Sequence, residues 1–124
     1  MLKKIVIAAA ILLATPALAQ HAHDDKGPNG GQMQDVAGVH AEFLPSGNSL
    51  VLNIIDEAGK PIDTKGFVAS ALVVSGGERK TVQLIASGSS LRADLPSALP
   101  AGSTVTFAVK SSAGKSGQAK FTTR

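Results

Sequence analysis

The sequence predicts an all-β domain built from antiparallel strands, and three observations carry that expectation. From Gln34 onward, short runs rich in Val, Ile, Leu, Thr and Phe recur about every ten to fifteen residues, each closed by Gly, Pro, Ser or Asn. Within those runs apolar and polar residues alternate with period two, as in a sheet that has one wet face. Almost no stretch of the region carries the 3.6-residue apolar period of a helix.

The elements follow in order. The first strand spans Val36 to Leu44 and is closed by Pro45-Ser46-Gly47-Asn48. The second spans Ser49 to Asp56, with Leu50, Leu52 and Ile54 on one face and Val51, Asn53 and Ile55 on the other. Glu57-Ala58-Gly59-Lys60-Pro61 then turns the chain. The third strand, Phe67 to Val74, ends at Ser75-Gly76-Gly77, and the fourth, Lys80 to Ala86, points Val82, Leu84 and Ala86 one way. Leu91, Ala93 and Leu95 alternate in the fifth, and a Pro96 to Gly102 connection leads to the sixth. There Val105, Phe107 and Val109 alternate with Thr104, Thr106 and Ala108. The seventh runs from Gly117 to Thr123, with Ala119 and Phe121 inward. Seven such strands in about 90 residues point to an immunoglobulin-like β-sandwich covering 34–124. It lacks the Cys–Trp–Cys signature of immunoglobulin domains, because the chain has neither residue type.

The chain begins differently. Lys3 and Lys4, the apolar run Ile5 to Leu13 and the Ala17-Leu18-Ala19 site make Met1 to Ala19 a secretory signal peptide. A membrane-spanning helix needs about 20 mostly apolar residues, and this stretch is shorter and broken by Pro16. No later segment is apolar enough to span a bilayer, so the expected product is exported, with the periplasm as its compartment. Residues 20–33, with two histidines, two aspartates and Gly-Pro-Asn-Gly-Gly, read as a flexible tail ending in a turn.

Charge and composition exclude several functions. The 12 Lys+Arg and 9 Asp+Glu become ten and nine once Lys3 and Lys4 leave with the signal peptide. The remaining cations are scattered and not interleaved with aromatics, so no nucleic-acid partner is expected. The absence of cysteine removes disulfides, thiolate metal sites and a Cys nucleophile. With one histidine in the folded body and no tyrosine, and no nucleophile on a strained elbow, the chain is expected not to be an enzyme.

The remaining chemistry belongs to His21, His23, His40 and Glu42. A cut after Ala19 exposes Gln20-His21, whose amine, His21 amide and imidazole can chelate Cu(II), with His23 adding a nitrogen. A cut one residue later gives His21-Ala22-His23, whose amine, two amides and third-position imidazole form a square-planar nitrogen set. Gln20 is a poor residue to leave before the cut, which favours the first. Cyclisation of an N-terminal Gln would remove the amine. In Val39-His40-Ala41-Glu42-Phe43, alternation puts His40 and Glu42 on one face, about 6.6 Å apart along the strand. That spacing lets the two share a metal or a hydrogen bond, with a third ligand from the tail. The plainer alternatives are a solvated polar tail and a surface pair.

Lys26-Gly27-Pro28-Asn29-Gly30-Gly31-Gln32, followed by Gly38-Val39-His40-Ala41-Glu42 and Asp56-Glu57-Ala58-Gly59-Lys60-Pro61, resembles a pattern of exported bacterial proteins. A similar Gly-Pro-His-Gly-Gly start occurs in periplasmic adaptor subunits of heavy-metal efflux pumps and in small stand-alone periplasmic proteins. The likeness covers Lys26 to Pro61 and implies a periplasmic β-sandwich in a metal-handling context. Asn29 stands where the efflux pattern has His, which removes one ligand. A looser likeness is to periplasmic copper-carrier β-sandwiches. Here no histidine follows His40, so the later Asp-x-His pair of those carriers is absent and no site is carried over.

The expectation is an exported, non-enzymatic β protein that binds Cu(II), or next Zn(II), through its His-bearing tail. Binding to the tail imidazoles should weaken below about pH 6. The alternative is a structural or interaction module that docks an envelope protein through a sheet edge, with no metal role.

Overall fold

A computed structural model describes residues 26–124. The signal peptide, its cleavage site, His21 and His23 lie outside the described residues. The fold is all-β: eight antiparallel strands form one nearly closed, barrel-like sheet. They are β1 (Gln32–Val36), β2 (Val39–Ser46), β3 (Ser49–Ile55), β4 (Val68–Ser75), β5 (Glu78–Ser87), β6 (Ser90–Asp94), β7 (Thr104–Lys110) and β8 (Ser116–Thr122). Their order across the sheet is β1-β2-β3-β6-β5-β4-β7-β8.

Eight strands replace the expected seven because the run from Val36 to Leu44 is not one strand. A two-residue turn at Ala37-Gly38 folds it back, pairing Val36 with Val39 and Asp35 with His40. Both turn residues have positive φ, 52° at Ala37 and 81° at Gly38, as a primed hairpin turn demands. Ala37 is the one non-glycine among the described residues in that left-handed region. The usual Asn-Gly or Asp-Gly signal of such a turn is missing, so the hairpin is hidden in the sequence.

The seven expected strands otherwise coincide with β2 to β8, and the alternation decides what they bury. Ala41 and Phe43 of β2, Leu50, Leu52 and Ile54 of β3, Leu91 of β6, Val105 and Phe107 of β7, and Phe121 of β8 are all at most 1% exposed. Each buried Leu or Phe contributes about 1.5–3 kcal/mol of apolar transfer. Phe43 packs against Phe107 and Phe121 with ring centroids 5.4 and 5.2 Å apart, and Phe107 meets Phe121 at 5.7 Å. Since β2 lies far from β7 in sheet order, these contacts show the sheet wrapped onto itself around one core.

The expected two separate sheets are therefore joined. Ten-residue β5 bonds β4 from Glu78 to Leu84 and then β6 from Ile85 to Ser87, carrying the ladder from one side to the other. At the opposite seam β1 and β8 come side by side, and glutamine amides stand in for a backbone ladder. Gln34 Nε2 donates to the Lys120 carbonyl while its Oε1 accepts the Lys120 N–H at 3.3 Å. Gln32 Nε2 donates to the Thr122 carbonyl at 2.9 Å. Backbone groups at a strand edge need partners, and these amides supply them at the closing edge.

Candidate functional site

Two features of the β1–β2 hairpin bring chemistry-bearing residues together: the loop that precedes it and the Asp35–His40 pair within it. The loop is Lys26 to Gly31, held at its base by a bridge between Lys26 and Gln32. It closes on itself through Gly27 N–H to Gly31 O at 2.7 Å and Gly30 N–H to Gly27 O at 2.9 Å.

Glu42 holds this loop to the sheet. Ala41 and Phe43 point to the core, so alternation turns Glu42 the other way, under the loop, where its residue is 0% exposed. Its Oε2 accepts the N–H groups of Asn29 and Gly31, and its Oε1 accepts the Asn29 side-chain amide, each at 2.9 Å. Burial pushes the carboxyl pKa up, yet the hydrogen bonds from Asn29 and Gly31, with a further one from the Asn53 side chain, together hold it below its ordinary 4.5. Glu42 is therefore an ionised, fully partnered carboxylate.

The glycines of the loop answer to the same carboxylate. A Cβ on Gly27 would sit 2.2 Å from Glu42 Oε2, and one on Gly31 would sit 2.5 Å from the Phe43 carbonyl and 2.9 Å from Glu42 Cγ. Gly-Pro-Asn-Gly-Gly thus forms a loop whose backbone lies flat on a buried glutamate, and Asn29 is its specific contact. The sequence marks the segment as a turn, but its pattern does not single out Asn29, Gly27 and Gly31 as partners of Glu42. The only signal available was the pairing of that loop with a glutamate on the next apolar strand.

His40 lies two residues away on the same face and has a different partner. Its Nδ1 is hydrogen-bonded to Asp35 Oδ1, its neighbour across the hairpin. An ionised carboxylate can only accept, so Nδ1 carries the proton and a neutral His40 ring presents Nε2 as a lone pair. A carboxylate fixing one ring nitrogen so that the other can coordinate is the outer-shell arrangement of metal-binding histidines. The His40 side chain is 33% exposed.

His40 and Glu42 thus share a face, as the alternation required, and each is engaged elsewhere: His40 with Asp35, Glu42 with the loop. Among the described residues no group of three or more His, Asp or Glu side chains converges to hold a metal ion. His21 and His23 lie outside those residues. The chain matches no protein-family model, no curated protein and no solved structure.

Proposed function

We propose that the protein is an exported, non-enzymatic β domain that captures a divalent transition metal, Cu(II) before Zn(II), through its His-bearing N-terminal tail. His21 and His23 supply the first nitrogens, and His40 Nε2 is the ligand that the folded body adds. The observation that carries this reading is the Asp35–His40 hydrogen bond, which leaves Nε2 free and oriented. Reach supports it as well. Asp35 lies three residues along β1 from Gln32, about 10 Å, and Gln32 is bridged to Lys26. His23 is three residues before Lys26, and three extended residues span about 10 Å. The resemblance of Lys26 to Pro61 to efflux-pump adaptors points to the same context.

Glu42 serves this proposal by holding the loop from which the tail departs. The fold belongs to the proposal too: β2-β3-β6 facing β5-β4-β7-β8 is read as an immunoglobulin-like sandwich with β1 added. The strand order and the phenylalanine contacts between the two groups support that reading.

The test is a Cu(II) and Zn(II) titration of the processed protein beside His21→Ala/His23→Ala and His40→Ala variants, with the N-terminus defined by mass spectrometry. Cu(II) should bind one equivalent. The double variant should lose it, and His40→Ala should change the Cu(II) electron paramagnetic resonance spectrum by removal of one nitrogen. Binding no tighter than that of an unrelated peptide tail would overturn the proposal and leave an interaction module of the envelope.

A further inference from the structure

Among the described residues, Val68 and Ile85 are the large hydrophobics left exposed, at 63% and 73%. Val68 comes just before Ala69 on β4, and Ile85 just after Ala69's partner Leu84 on β5, where the ladder passes to β6 and Ile85 pairs with Arg92. Lys110 of β7 pairs with Val68 on its other side. In the next row Ser70 pairs with Gln83 and with Ala108, and Ala108 pairs with Gln118. The small Ser70 and Ala108 make the floor of an open groove of about 450 Å³ with the longer Gln83 and Gln118 at its sides.

Charge on this face has one sign. The outward positions of β4, β5, β7 and β8 carry Arg79, Lys110 and Lys120 and no carboxylate. Lys120 pairs with Thr106, which pairs with Leu72, four residues along β4 from the Val68 that pairs with Lys110. The two lysines therefore lie roughly 13 Å apart along the strand direction.

We infer that this face docks an extended acidic segment of a partner protein. An extended chain advances about 3.3 Å per residue, so carboxylates four positions apart match the spacing of Lys110 and Lys120. The amides of Gln83 and Gln118 can donate to and accept from its peptide groups, and an apolar side chain covers Val68. The site is a groove with amide walls, which fits a single chain better than the flat headgroup plane of an anionic bilayer. It involves none of the metal-capture residues, so it stands whether or not the tail binds a metal.

The probe is a synthetic extended heptapeptide with two Glu four positions apart and Leu between them. Three comparisons accompany it: the same peptide with Gln in place of Glu, phosphatidylglycerol vesicles, and a Val68→Ser/Lys110→Gln protein. Both altered side chains are exposed, so the fold is retained, which the amide spectrum checks. Amide shifts on adding the Glu peptide should cluster on β4, β5, β7 and β8 around the groove. Salt should weaken the binding, and both the Gln peptide and the variant protein should bind about tenfold more weakly. No shifts, shifts on another face, or equal binding by the two peptides would overturn the inference. So would groove shifts produced by vesicles and not by peptide, which would make the face a lipid surface.

Discussion

Replacing Glu42 tests the physical account of the Gly-Pro-Asn-Gly-Gly loop most directly. In Glu42→Ala, three donors at 2.9 Å lose their acceptor and a fully buried site is emptied. Hydrogen bonds to a charged group are worth about 1.5–3 kcal/mol each before the carboxylate's own desolvation is set against them. The net loss is therefore about 3 kcal/mol, near the range for stranding one side of a buried charged pair. For a domain of this size that lowers Tm by roughly 12–24 °C. Glu42→Gln should be much milder. Its single carbonyl oxygen has two lone pairs, enough for both backbone N–H groups, and a rotated Asn29 amide can accept from the new NH2. A loss of about 1 kcal/mol is expected. The pH dependence separates the two states of the carboxyl. Because the folded pKa is lowered, the clamp's contribution is fully present above 4.5 and is lost as pH falls through the folded value. Urea unfolding between pH 7 and pH 3 should show wild-type stability dropping below about pH 4.5, and Glu42→Gln should lose that part of the slope. A Glu42→Gln protein with an unchanged acid slope, or a Glu42→Ala protein as stable as wild type, would refute the clamp.

Three further outcomes are expected. Gly27→Ala drives a Cβ into the Glu42 carboxylate; it should destabilise by about 2–3 kcal/mol, less in a Glu42→Ala background, as a double-mutant cycle by urea unfolding would read. Ala37→Gly relieves a left-handed alanine and should raise stability by up to about 1 kcal/mol, measured as a higher urea midpoint at constant m-value. Phe43→Ala removes the ring that touches both Phe107 and Phe121 and should cost about 3–5 kcal/mol, read by thermal unfolding.

The body of the fold was legible because its strands obey the simplest rule. Leu50-Val51-Leu52-Asn53-Ile54 alternates cleanly, and so do Val105-Thr106-Phe107-Ala108-Val109, and the structure buries the expected members of both. Where alternation gave way to turn chemistry, legibility ended. Ala37-Gly38 carries no Asn or Asp to announce a left-handed turn, so the sequence starts its first strand at Val36 and leaves Gln32 and Met33, which the structure places in β1, to the expected tail. The closing of the sheet was also hidden, because it depends on Gln32 and Gln34 reaching backbone groups about ninety residues away. No local pattern encodes such a contact. At the site, the shared face of His40 and Glu42 followed from the strand period alone. Their partners did not, since Asp35 reaches His40 only through the unseen hairpin and Asn29 reaches Glu42 across thirteen residues.

The division of labour between His40 and Glu42 follows from what each group has left to offer. Glu42 receives three donors from the loop, and both its oxygens are engaged. Turning it toward a cation would strand the N–H groups of Asn29 and Gly31 in a buried site, at about 1–3 kcal/mol for each unpartnered donor. A metal held there would have to offset the release of the loop before it gained anything. His40 faces no such conflict, because the bond that Asp35 accepts from Nδ1 leaves the other ring nitrogen uncommitted. Two residues of one strand, sharing one face, are thus fixed in opposite roles by their partners. Glu42 belongs to the stability of the loop, and His40 is the ligand-capable side chain that the hairpin leaves open. A single imidazole is too few donors for tight capture of Cu(II), so any such capture must draw its other nitrogens from the chain ahead of Lys26.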